Sequence, residues 1–311
     1  MISNILIAAE QVAILYVIVA VGAISDKIGW FPEKVGKSCT DLLFYIVTPA
    51  KIIESFFTLE YSKETALGLF KALGCGALLH IVSISLGMLV FMRTPKDKGA
   101  IFKFAAAFGN CGYMGLPLAN AVLGAEGVFY CSAVIITFQV FNFTYGVYVM
   151  TADKGGFKFD AKKLILNPGA ISVIIGMPIF MLSLKLPNMV STPITQIANL
   201  NTPLAMLVFG TFIANTDFKM IFREKGIYLT ALVKLILVPV IVISVLRLAG
   251  IRGTLLTALA IASSAPPANN TVMFSAKYDR DTGLASQTVA SVSLISIFTM
   301  PVIIALSQVV G

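Results

Sequence analysis

Histidine is nearly absent from this chain of 311 residues: His80 is the single one. A multi-histidine metal centre is therefore excluded, and a Ser-His triad would have to rely on His80 alone. The four cysteines, Cys39, Cys75, Cys111 and Cys131, have no ligand spacing and read as small, reduced apolar side chains. Charge is scarce too. Asp, Glu, Lys and Arg make up 12% of the chain, against about a quarter in a soluble domain. The loops are short and leave no room for a soluble catalytic or regulatory domain. The net charge of +8 thus has no folded patch to form and does not indicate nucleic-acid binding. The run GNCGYMG at 109–115 neither follows a strand as G-x-G-x-x-G nor leads into Gly-Lys-Ser, so it is no nucleotide loop. Short alternating strands of an outer-membrane barrel are missing as well. An enzyme is not expected, nor a cofactor or metal.

Apolar sequence is what the chain has. Hydrophobic residues make up 58% of it and the mean hydropathy is +0.91. Runs of about twenty apolar residues, the length of helix that crosses a bilayer, recur from end to end. They place ten spans at roughly 5–25, 38–59, 65–92, 99–123, 126–151, 162–184, 192–215, 226–249, 254–276 and 283–309. The first is read as a retained helix, because it lacks a basic leader and carries Glu10 and Gln11. Fifteen Lys and Arg residues fall in the loops after odd-numbered spans. They are Lys27, Lys34, Lys37, Arg93, Lys96, Lys98, Lys154, Lys158, Lys162, Lys163, Lys219, Arg223, Lys225, Lys277 and Arg280. The other side holds Lys63, Lys185, Arg247 and Arg252. Positive charge stays in the cytoplasm, so both termini are expected outside, with the cationic loops against anionic lipid.

Two places inside this apolar background are hostile to helix. Residues 108–124, FGNCGYMGLPLANAVLG, contain four glycines and a proline, residues that cost roughly 1 and 3 kcal/mol in a helix interior. The second place is SSAPPANN at 263–270. The two are related by a weak internal repeat with an offset of 154. Thr48-Pro49 matches Thr202-Pro203, Arg93 matches Arg247, and Lys98-Gly99 matches Arg252-Gly253. The same offset sets Gly109 to Gly112 opposite Ser263 to Pro266. Five spans per half means that the halves, 1–151 and 162–311 around a connector at 152–161, are expected to be inverted relative to each other. Such a pair of interrupted segments points to a transport site, since irregular backbone at membrane depth is tolerated only where it lines a cavity or is buried in protein. Gly109, Gly115, Pro117, Ser264 and Ala265 are the candidate breakers. Each break would free a half-helix N-terminus, which suits a carboxylate. Close packing through small residues is the plainer alternative.

NCGYMGLPL, from Asn110 through Gly115 and Pro117 to Leu118, resembles a motif of the auxin efflux carrier family, and SSAPPANNTVMFSAKYDRD at 263–281 is similar to its later counterpart. That family includes plant auxin exporters and bacterial carriers linked to malonate and malate. The resemblance implies an all-α polytopic membrane fold shared with bile-acid and sodium/proton carriers, with spans 4 and 9 broken and crossing. It also implies a scaffold of spans 1, 2, 6 and 7, a mobile core of spans 3–5 and 8–10, elevator-type motion and a homodimer through the scaffold. The short central loop resembles the bacterial members, which implies the bacterial cytoplasmic membrane.

Asn110 is the foremost substrate-binding candidate, because its amide can donate to a carboxylate or accept from exposed N–H groups. Cys111, Gly112, Tyr113, Pro266 and Pro267 flank the breaks. Asn269 and Asn270 are expected to bind substrate or to cap the second half-helix. Gln139 and Asn142 lie three apart, on one helical face, and either reach substrate or bond between helices. Tyr113, Phe138, Phe141 and Phe143 offer aromatic surface. Lys51 and Glu54 are expected to neutralise each other, Lys234 to snorkel to the surface rather than attract an anion, and His80 to hydrogen-bond between helices. No carboxylate lies near the breaks, so coupling to H⁺ or Na⁺ is left open. The expected function is transport of a small carboxylate, malonate- or malate-like or an indole-type acid. A non-transporting ligand sensor and a cation/proton antiporter are the alternatives.

Overall fold

The computed structural model describes residues 2–152, 168–215 and 224–311. The connector from residue 153 on lies outside them, as do the loop cations Lys154, Lys158, Lys162, Lys163, Lys219 and Arg223. Described residues form helices and one isolated antiparallel bridge. In chain order the first half holds α1 (Ile2–Lys27), α2 (Glu33–Leu42), α3 (Thr48–Thr58), α4 (Lys63–Val90), α5 (Lys96–Ala107), α6 (Leu116–Phe141) and α7 (Val147–Thr151). The second holds α8 (Pro168–Met181), α9 (Asn188–Ala198), α10 (Asn201–Ala214), α11 (Lys225–Leu232), α12 (Val238–Leu248), α13 (Gly253–Ser264), α14 (Asn270–Lys277) and α15 (Thr282–Val310).

Four joints between these helices are widened π turns: Leu43–Val47, Cys111–Gly115, Asn142–Gly146 and Val233–Leu237. Sequence explains three of them. Pro49, Pro117 and Pro239 each stand two residues beyond such a turn. Proline has no N–H to donate and its ring collides with the carbonyl four residues back, so the helix opens by one residue there. The fourth has no proline. Its Thr144 hydroxyl donates to the carbonyls of Val140 at 2.7 Å and Phe141 at 3.4 Å, a side-chain bond that competes with the helix ladder.

Among the described residues five helical runs are long and apolar enough to cross a bilayer: Lys63–Val90, Cys111–Thr151, Asn188–Ala214, Lys225–Leu248 and Thr282–Val310. The shorter apolar helices Pro168–Met181 and Gly253–Ser264 accompany them. At 41 residues the Cys111–Thr151 run would extend about 60 Å as straight helix, twice a hydrocarbon core. It is divided at Gly124, whose φ of 64° and ψ of −151° are non-helical. The chain is a multi-pass helical membrane protein.

The helices pack in two sets, joined by contacts of α1 with α15 and of α3 with α6. In one, α1 lies along α10, and α3 packs on α8 and α9. Small residues set the first contact: a Cβ on Gly22 would strike the Leu207 backbone, and one on Gly210 the backbone of Val19 and Ala23. In the other, α4 packs on α6 and α12, while α13 packs on α6, α12 and α15. Arg280, its side chain 1% exposed, ties this group together at one end. Its Nη1 lies 2.7 Å from Asp97 at the start of α5, and its Nε and Nη2 donate to the Met150 carbonyl in α7.

Candidate functional site

Within this second group α5 and α13 each give way to extended backbone, and the two stretches meet. Helix α5 stops at Ala107, and Phe108 is extended at φ −114° and ψ 111°. Helix α13 stops at Ser264, and Ala265 turns out at φ −57° and ψ 134°. The Asn110 N–H donates to the Pro266 carbonyl at 2.7 Å, and the Ala268 N–H donates to Phe108 at 2.9 Å. Gly109 and Pro267 face each other between these bonds as an antiparallel bridge. Each break therefore satisfies backbone groups of the other, as a dry interior demands. Pro266 and Pro267 suit the arrangement because neither has an N–H to leave unpaired.

Helix resumes from the two asparagines. After Asn110 comes the π turn Cys111–Gly115. The Asn110 side-chain oxygen accepts from the Tyr113 N–H at 3.2 Å, and its carbonyl accepts from Met114 and Gly115, each at 3.1 Å. Asn110 is thus an N-cap, and this bond leaves its NH₂ group free of the capping role. Asn269 stands at the matching place before α14 but makes no side-chain capping bond.

A cleft of about 60 Å³ opens where the half-helices start. Gly109, Asn110, Cys111, Gly112 and Tyr113 line it from the first break, and Ala268, Asn269 and Asn270 from the second. Gln139, Ile135 and Phe138 of α6 form a third wall, closed by Phe44, Thr48 and Gly169. Gln139 is 5% exposed and its Oε1 has no partner among the described residues. The Tyr113 hydroxyl donates to the Thr40 carbonyl at 3.4 Å, which leaves its ring as wall. Asn201 Nδ2 donates to Thr48 Oγ1 at 3.0 Å, holding the wall from behind.

Other candidates stand elsewhere. Asn142 is fully buried, both its amide atoms without a partner among the described residues, at the start of a π turn, and does not line the cleft although Gln139 does. Gly115 ends the first π turn and Pro117 lies in α6, while Ser264 is the last residue of α13 and Ala265 the first beyond it. Phe141 stacks on His80 at 5.4 Å and 7°, and Phe143 packs toward Phe274. Lys51 and Glu54 pair at 2.7 Å, buried.

Two residues depart from expectation. His80 makes its hydrogen bond within its own helix. Its Nδ1 lies 2.7 Å from the Gly76 carbonyl, which can only accept, so Nδ1 carries the proton. Lys234 does not snorkel: it is 0% exposed and its Nζ has no partner among the described residues. The π turn ahead of Pro239 turns it inward against the first break, where a Cβ on Gly109 would lie 2.9 Å from Nζ and 3.0 Å from the Ala265 oxygen. Phe44 and Gly169 had no chemical signal in the sequence. Thr48 stood there as half of a matched Thr-Pro pair.

A multi-pass helical protein whose two broken helices meet beside a mostly apolar cleft edged by amides has the make-up of a membrane carrier. This chain belongs to the family of membrane transport proteins, whose model matches residues 7–162 and 157–304, the auxin efflux carrier family of the NCGYMGLPL motif. It is a transport protein and not an enzyme. An uncharacterized transporter of Methanocaldococcus jannaschii is 23% identical over 299 residues, covering 91% of this chain and 94% of the relative. A protein of Rhizobium meliloti that bears the provisional name of malonate transporter is 23% identical over 284 residues, 88% of this chain and 85% of that one.

Proposed function

We propose that this chain is a secondary carrier of a small organic carboxylate, with a malonate- or malate-like dicarboxylate as the leading class. The observation that carries the reading is the cleft: amides of Asn110, Gln139, Asn269 and Asn270 gathered at the starts of two half-helices. Amide NH₂ groups donate to carboxylate oxygens, and helix N-termini add partial positive charge. Aromatic and aliphatic walls from Tyr113, Phe138 and Ile135 fit the short carbon chain. The name of the Rhizobium meliloti relative favours a short dicarboxylate over an indole-type acid.

The mechanism we propose is alternating access by elevator motion. Ten spans form two inverted halves, with the fourth and ninth broken. The α1, α3, α8, α9 and α10 group is the scaffold, through which two copies pair. The group built on α4, α6, α12, α13 and α15 is the core that carries the cleft across. The grouping of contacts and the Arg280 tie support this division. Both termini lie outside the cytoplasmic membrane of a bacterium, on the strength of the Lys and Arg distribution. H⁺ and Na⁺ are both candidates for coupling.

Counterflow in proteoliposomes tests the reading. Labelled malonate, malate and indole-acetate are offered with and without Na⁺ and a pH gradient, beside Asn110→Ala. Saturable exchange of a dicarboxylate that Asn110→Ala abolishes is expected. Absence of exchange for every acid by folded protein would overturn it. Binding without flux would instead mark a sensor, and dissipation of a pH gradient without any acid an antiporter.

A further inference from the structure

Lys234 is a buried cation that the carrier reading leaves without a task. Its side chain is inaccessible and its ammonium has no hydrogen-bond partner among the described residues. The ion pairs Lys51–Glu54, Lys98–Glu224 and Arg280–Asp97 do not include it. A charge in a dry interior is costly unless something offsets it. What surrounds Lys234 is the crossing itself. The ammonium rests against Gly109, beside the Ala265 carbonyl, where α5 and α13 end and their last carbonyls carry partial negative charge. His80 and Cys111 are within electrostatic reach, and neither bears a negative charge as an imidazole or a thiol.

We propose that Lys234 is a specificity-determining residue: it is the fixed positive charge that makes the cleft select anions over neutral molecules of the same shape. This rests on the reading of the cleft as a carrier site. Lys234 is not part of the cleft wall, so it acts across the Gly109 backbone through its field. Glycine at 109 is what allows the approach, since a Cβ there would collide with Nζ. A full charge at such depth acts more strongly than one screened by solvent. The half-helix starts and the amides fix orientation, whereas Lys234 supplies the net charge that a neutral amide cannot exploit.

Ligand-dependent thermal melting of the purified protein in detergent tests this. Wild type, Lys234→Met and Lys234→Arg are each titrated with malonate, acetate, sulfate, phosphate and malonamide, the uncharged isostere of malonate. Wild type is expected to be stabilised by an anion and at least about tenfold less sensitively by malonamide. Lys234→Met should weaken the anion about tenfold or more and leave malonamide unchanged, with Lys234→Arg keeping part of the preference. Equal weakening of both ligands, or of neither, would overturn the proposal. Lys234→Gln, which keeps a donor without the charge, serves if the Met variant does not fold. Wild type that prefers no anion overturns the proposal without any variant. Stabilisation by sulfate or phosphate alone, lost in Lys234→Met, would uphold Lys234 and defeat the carboxylate reading.

Discussion

Asn110 holds two tasks in one side chain, and its two ends separate them. The oxygen caps the half-helix through Tyr113 N–H, and in the proposed function the NH₂ group is the donor to the anion. Asn110→Asp keeps a good N-cap but replaces the donor with a negative charge. Its melting temperature should stay near wild type while counterflow falls below detection. Asn110→Ala loses both functions and, in addition, about 1 kcal/mol of stability; melting and flux measured together distinguish the two variants. Gly109 is constrained differently. A methyl group there meets Lys234 Nζ, which can move, and the Ala265 carbonyl, which is backbone and cannot easily do so. Gly109→Ala should therefore cost roughly 1–3 kcal/mol, as overpacking does, and pry the two breaks apart. The expected result is a folded, helical protein by circular dichroism with counterflow reduced at least about tenfold.

Helix α1 crosses α10 with backbone against backbone at Gly22 and Gly210. In lipid such contacts hold helices through close packing rather than exclusion of water. Gly22→Ala and Gly210→Ala should each force the pair apart and lower the melting temperature in detergent, by roughly 1–3 kcal/mol of stability. Malonate affinity of the remaining folded protein should be unchanged, because neither glycine touches the cleft. The prolines act at the same level. Pro49, Pro117 and Pro239 each open a π turn, and those turns carry Phe44, Cys111 to Tyr113, and Lys234. Local helix geometry, set by an imino acid two residues further on, thus decides which side chains reach the crossing.

The molecule as a whole poses a question of sidedness. Single cysteines at Ser62 and Thr94, in a chain whose Cys39, Cys75, Cys111 and Cys131 have been replaced, report it directly. With both termini outside, a membrane-impermeant maleimide should label Ser62→Cys in intact cells and Thr94→Cys only after lysis. The reverse pattern would invert the orientation. Lys98–Glu224 at 2.6 Å and Arg280–Asp97 at 2.7 Å lie on the Thr94 side. They join the starts of α5 and α11 to the end of α14, so in an elevator these elements move as one body.

Hydropathy and helix breakers are local properties, and what depends on them was legible in the residues: an all-helical membrane protein, its family and the two places where helix fails. The pairing of Lys51 with Glu54 was legible too, three residues apart on one face. Side-chain destinations were not. Gln139 and Asn142 share a helical face in sequence, yet a π turn begins at Asn142, and one lines the cleft while the other is buried away from it. Lys234 has the stem of a snorkelling lysine, but the widened turn before Pro239 aims it at Gly109. His80 could have bridged helices, and found a carbonyl of its own helix. Capping was expected of Asn269 or Asn270, yet it is Asn110 whose side chain caps, while Asn269 makes no capping bond. Along the chain the distance to lipid, cleft or neighbour is undefined. It comes into existence when one helix is laid against another, and so the apolar runs named the kind of protein while packing chose which polar groups face its cleft.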